Sequence, residues 1–155
     1  MATIFDIHQL KTYQEYNSKV EHAFASYKKD LIALFTKSPE GQAHMKAFPG
    51  SDTGFWAERL MDYGYLYTAT PLADITVGRV EGAVLDYLPE KIAIISWDDV
   101  KDAIPELIAF WTYLKRQYHL PQSDAVLASL KEIEPEFKQI MNGKSRRCMA
   151  KGFFM

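Results

Sequence analysis

Residues 10–41, LKTYQEYNSKVEHAFASYKKDLIALFTKSPEG, decide the fold class. Leu10, Tyr13, Val20, Phe24, Tyr27, Leu31 and Leu34 recur at helical spacing, while Lys11, Glu15, Lys19, Glu21, Lys28 and Lys29 fall mostly between them. A period near 3.6 gathers the apolar set on one side of an α-helix and leaves the charges to solvent on the other. The spacing therefore predicts one long amphipathic helix. Ser38, Pro39 and Glu40 then supply an N-cap, a proline at the first helical position and an acidic first turn, so a second helix starts at once.

The same reading extends along the chain. FPGSD, residues 48 to 52, ends the second helix, and Thr53 is placed to cap a third that carries Phe55 or Trp56, Leu60, Tyr63 and Tyr67 inward. Gly64 weakens the middle of that helix by about 1 kcal/mol relative to alanine. TATPLADIT, residues 68 to 76, reads as a connection, because Pro71 disfavours a helical Thr70. Thr76 caps a fourth helix through Val77, Val80, Val84 and Leu88. In LDYLPEKI, residues 85 to 92, Pro89 has no N–H and its ring meets the Leu85 carbonyl, so the regular ladder kinks or stops near Leu88. Ile92 to Ile95 have strand-like β-branching but no second strand to pair with, and are expected as a connector laid into the core.

Ser96 and Asp99 have capping spacing for a fifth helix, which Pro105 kinks or divides and which runs to about Tyr118 with Leu107, Ile108, Trp111 and Leu114 buried. After the turn HLPQSD, a sixth helix carries Ala125, Leu127, Leu130, Ile133, Phe137 and Ile140, contains Pro135, and stops at Asn142-Gly143. The expectation is one all-α domain over 1–143, a bundle of about six helices, followed by a basic, aromatic-ended tail over 144–155. Its predicted core is Phe24, Leu31, Trp56, Leu60, Val84, Leu107, Trp111, Leu130 and Phe137.

Composition agrees with one packed domain. A chain of 155 residues suits a single core. Apolar residues at 48% and charged residues at 25% exclude the disordered class. A formal charge of −2 provides no global attraction to nucleic acid or anionic lipid, so such a role needs a local patch. Cys148 is the only cysteine, which rules out an internal disulfide framework and a four-cysteine zinc site and points to a reducing compartment. MATIFDIHQLKTYQ lacks the layout of a secretory leader, and no apolar run has the ~18 residues of a membrane span. Together these place the expected protein in the cytoplasm, away from the membrane.

Reactive constellations are sparse. Glu-x-x-His, the pattern of carboxylate-bridged metal bundles, is absent. Glu40 and His44 share a helix face but read as two solvated surface residues, and no metal or cofactor is expected. His8, His22, His44 and His119 are scattered, so no catalytic residue is assigned. Cys148 lies among cations that would activate a thiol, yet it lacks an assignable base and reads as a small apolar side chain near Met149 and Phe153. Scattered glycines exclude phosphate-binding loops. Tyr63, Tyr65 and Tyr67 alternate; on a regular helix Tyr63 and Tyr67 pack inward while Tyr65 lies elsewhere.

Charge is divided along the chain. From Glu81 to Glu106 stand Glu81, Asp86, Glu90, Asp98, Asp99, Asp102 and Glu106 against Lys91 and Lys101, whereas the tail holds Lys144, Arg146, Arg147 and Lys151 with no acid. The two regions are expected to attract. The leading expectation is a non-enzymatic interaction or regulatory module that uses this tail on a protein partner or a second copy. A small-molecule-binding protein or enzyme with a pocket at Tyr63 and Tyr67 is the alternative. Weak nucleic-acid binding through Lys144, Arg146, Arg147 and Lys151 comes last, since four cations give a modest, salt-screened attraction.

Leu85, Asp86, Leu88, Pro89 and Lys91, then Ile104-Pro105-Glu106-Leu107 and Phe110, then Glu134, Glu136-Phe137 and Ala150-Lys151 resemble an uncharacterised group of bacterial helical domains. In that group a Leu-Pro-Arg-Lys-like stretch precedes an all-helical C-terminal half; Glu90 here stands in place of the arginine. The resemblance covers the second half of the chain. It implies an all-α domain and transfers no active site to these residues, and the cysteine-rich metal-binding module that accompanies some members has no counterpart in this sequence.

Overall fold

The computed structural model describes the backbone of residues 5–91 and 97–154 and the side chains of 5–90 and 97–143. Among the described residues lie six helices and no strand, so the chain is all-α as its periodicity requires. Helix α1 is Ser18–Lys37 and α2 is Pro39–Ala47. Helix α3 runs Phe55–Asp62 and widens into a π turn at Tyr63–Tyr67. Helix α4 comprises Val77–Gly82, a second π turn at Ala83–Tyr87, and Leu88–Lys91. Helix α5 is Ala103–Tyr118 and α6 is Ser123–Phe154.

Helix α5 is the centre of the bundle, packed by α2, α3 and α6. Its sequence explains this position: Ile104, Leu107, Phe110, Trp111 and Leu114 form one broad apolar stripe, which Glu106 and Tyr113 widen to about half of the helix circumference, and all are buried. Each such side chain taken from water stabilises the fold by roughly 1.5–3 kcal/mol. Every residue of the predicted core, from Phe24 to Phe137, is buried as expected. Among the described residues no helix is long and apolar enough to cross a membrane.

Several local expectations are corrected. Helix α1 begins at Ser18, not near Leu10, because the Asn17 side chain accepts the Val20 N–H at 3.0 Å and caps it there. The preceding segment is a non-helical strap. Tyr13 donates to the Tyr65 carbonyl at 2.9 Å and Tyr65 donates back to the Lys11 carbonyl at 3.0 Å, pinning the strap to α3. On α1 itself Phe35 is buried and Leu34 is 39% exposed, so the inward stripe is Phe24, Tyr27, Leu31 and Phe35.

Pro89 does not stop α4, which continues to Lys91. The Leu88 N–H bonds the Ala83 carbonyl five residues back, and this wider turn interrupts the regular ladder just before the proline ring would collide with it. Ile92 to Ile95 and Ser96 lie outside the described residues. Pro105 stands in the first turn of α5 after a separate short turn at Trp97–Asp99, which matches the divided form of the fifth helix. Pro135 is inside α6, but Asn142-Gly143 is no stop: the helix runs through it to Phe154. On α6 Val126, Leu130, Ile133, Phe137 and Met141 are buried, while Ala125 is exposed.

Candidate functional site

Three ionisable side chains meet in the interior where α2, α3 and α5 converge. Asp102 and Glu106 are four residues apart at the start of α5, hence on one face of its first turn. His44 comes from the last turn of α2. All three are buried, Glu106 completely. His44 Nε2 stands 3.4 Å from Asp102 Oδ2 and 3.9 Å from Glu106 Oε1. The expectation that His44 is a solvated partner of Glu40 is therefore wrong. Glu40 pairs with Arg116 instead, at 2.8 and 3.0 Å in bidentate fashion, and His44 turns inward against the Phe48 ring.

Both carboxylates also accept hydrogen bonds from outside the trio. Glu106 accepts the Gly54 N–H on Oε1 and the Ala57 N–H on Oε2, both at 2.9 Å. It thereby caps α3, whose first residues offer no side-chain cap of their own: Gly54 sits at φ 106 and Thr53 does not fill the role expected of it. The left-handed conformation at Gly54 is one that a side chain would strain. Asp102 occupies the N-cap position of α5 yet does not cap it; its Oδ1 accepts Trp56 Nε1–H at 3.1 Å. One carboxylate is thus lent to another helix and the other to an indole and an imidazole.

Burial governs the charges. It pushes the Glu106 carboxyl up to about 7, against the pull of the Ala57 and Gly54 N–H groups. For Asp102 burial acts in the same direction, but hydrogen bonds from His44 and Trp56 and the attraction of His44 outweigh it and hold the carboxyl below its ordinary range. The cluster can accordingly keep a proton on one side and a full carboxylate on the other in close contact with one imidazole.

Asp102 and Trp56 also border a cleft of about 690 Å³. Its walls come from the turn between α2 and α3 and from the segment before α5. Phe48, Phe55 and Trp56 form the aromatic part, and Asp52, Asp98 and Asp99 join Asp102 as its acids, with Lys101 as the one cation in the lining. Lys101 lies 3.4 Å from Asp98, so part of the negative charge is already balanced.

Other residues singled out from sequence fall elsewhere. Tyr63 and Tyr67 come together with Tyr87, at ring separations of 5.1 to 6.4 Å, but Tyr67 is 58% exposed and the buried member of the trio 63, 65, 67 is Tyr65. Tyr63 is partly buried and packs against the core as expected, whereas the inward assignment of Tyr67 is corrected by the π turn, which adds a residue to the turn and rotates the side chains after Tyr63 off the expected face. His8, His22 and His119 are exposed and apart from His44. The side chains of Lys144, Arg146, Arg147, Cys148 and Lys151 lie outside the described residues. Reading by sequence missed Asp102 and Glu106 as partners of His44 and Trp56 as a partner of Asp102; the one signal available was a pair of acids at i, i+4 heading a largely apolar helix. No family model matches the chain, and neither a curated protein nor a solved structure matches it.

Proposed function

We propose that this chain is a non-enzymatic interaction module that receives a lysine- or arginine-type side chain of a protein partner in the cleft between residues 47–56 and 98–102, in the cytoplasm. The observation that carries this reading is the lining: four aspartates and three aromatic rings facing one volume with a single lysine. An ammonium or guanidinium group finds there both partners it favours, a carboxylate for a charge-assisted hydrogen bond and a ring face for cation–π attraction. The behaviour of His44 and Glu106 supports holding over catalysis, since their polar atoms are spent on each other's neighbourhood and on the start of α3.

The chain's own tail supplies a probe of matching charge. A peptide of residues 144–155, under reducing conditions, is expected to perturb the NMR signals of Phe48, Phe55 and Trp56 and to bind more weakly as salt rises. The double change Asp52→Asn, Asp98→Asn should weaken it about tenfold, a loss of about 1.4 kcal/mol. Equal binding of a peptide with Lys144, Arg146, Arg147 and Lys151 replaced by glutamine would overturn the proposal.

A further inference from the structure

We propose that His44 Nε2, Asp102 Oδ2 and Glu106 Oε1 form a site for one divalent transition-metal cation of the zinc class. The inference is independent of what fills the cleft. Three ligand atoms from two helices lie within 4.8 Å of one another, all buried. Ligands at zinc bond lengths of about 2.0–2.2 Å stand roughly 3.3–3.6 Å apart around a tetrahedral ion. The separations of 3.4 Å from imidazole to Asp102 and 3.9 Å from imidazole to Glu106 close to that value with shifts of a few tenths of an ångström.

The arrangement around the three atoms fits as well. Metal-binding side chains are aimed by fixed outer partners. Here Asp102 directs Oδ2 to His44 while its Oδ1 is held by the Trp56 indole, and Glu106 directs Oε1 to His44 with Oε2 held by the Ala57 N–H and Oε1 itself steadied by the Gly54 N–H at 2.9 Å, which leaves that oxygen one lone pair for an ion. Two carboxylates brought together beside one imidazole in the interior are costly to ionise, and a divalent ion would balance their charge. Of the three, Asp102 also lines the cleft, so an ion would reach the cluster from that side.

The test uses the full chain, stripped with a chelator and returned to Co²⁺ or Zn²⁺ alone. One equivalent of Co²⁺ should give visible absorption of the intensity typical of a four-coordinate ion, displaced by Zn²⁺. In imidazole ¹H–¹⁵N spectra Zn²⁺ should move His44 and leave His8, His22 and His119 in place. Trp56→Phe, which keeps the ring and loses the N–H, should weaken Zn²⁺ binding about tenfold, in line with other outer partners. His44→Gln should abolish one-equivalent uptake. No uptake by the wild-type chain, or Zn²⁺ shifts at an exposed histidine in place of His44, would overturn the site whether or not the His44 variant folds. Peptide binding at the cleft is a separate measurement, so either proposal can fail alone.

Discussion

Two helix starts, those of α2 and α3, solve the same problem in opposite ways. The first N–H groups of any helix lack intrahelical partners. At α2 the answer is local: Ser38 Oγ accepts the Gly41 N–H at 3.1 Å, three residues on, and Pro39 needs no acceptor. At α3 the acceptor is Glu106, 52 residues from Gly54 in the chain and completely buried. A local cap forms with the helix. A remote cap exists only after α5 has docked, so it converts the start of α3 into a reporter of tertiary packing and makes a buried carboxylate structurally indispensable.

The largest expected break in this contrast is Glu106→Ala. It strips α3 of both hydrogen bonds and leaves His44 beside one carboxylate, at a cost of about 3–5 kcal/mol, read from urea denaturation. A loss below about 1 kcal/mol would mean that α3 does not depend on the remote cap. Next comes Gly41→Ala at the local start, where a Cβ would run into the Phe35 backbone at the tight corner between α1 and α2. Neither side of that corner is a flexible side-chain tip, so overpacking of about 3 kcal/mol is expected, seen as a lower thermal midpoint. Ser38→Ala should cost about 1 kcal/mol, the ordinary value of a local cap, and the ratio of this loss to that of Glu106→Ala measures how far the two starts differ.

The smallest effect sharpens the same boundary from outside. Arg116 holds the Glu40 carboxyl, in the first turn of α2, below its ordinary value, chiefly through their hydrogen bonds. A depressed folded-state value means stability that is complete above the ordinary value of 4.5 and is lost as pH falls through the lower folded one. Arg116→Ala should therefore lower the thermal midpoint slightly at pH values above 4.5 and leave the acid end unchanged, flattening the acid limb between them; the effect is small because this surface pair is well solvated. An unaltered acid limb would show that the pair contributes nothing measurable.

Much of the fold was legible because its signals are short-range. Asn17 excepted, the caps at Ser38 and Thr76, the buried stripe Phe24, Tyr27 and Leu31, and the apolar body of α5 all follow from spacing within a few residues. The misreadings have a common origin. A 3.6-residue rule carried on from Tyr63 assigns the wrong faces to Tyr65 and Tyr67 once a π turn intervenes, and a second π turn precedes Pro89 in α4. Asn142-Gly143 has the chemistry of a stop, yet α6 continues beyond it. A glycine is a permissive position for a helix end and does not compel one.

The candidate site lay beyond such rules. His44 is separated from Asp102 by 58 residues and Trp56 from Asp102 by 46, and on its own stretch of chain each looks ordinary: a histidine on a polar helix, an acid before a helix, an indole among apolar neighbours. The order of apolar and polar residues dictated that this chain forms helices and which broad faces they bury, because backbone hydrogen bonding and side-chain periodicity are settled within a turn or two. Which polar groups became neighbours in the dry interior was set when α5 packed between α2 and α3, since electrostatics acts through space and takes no account of distance along the chain.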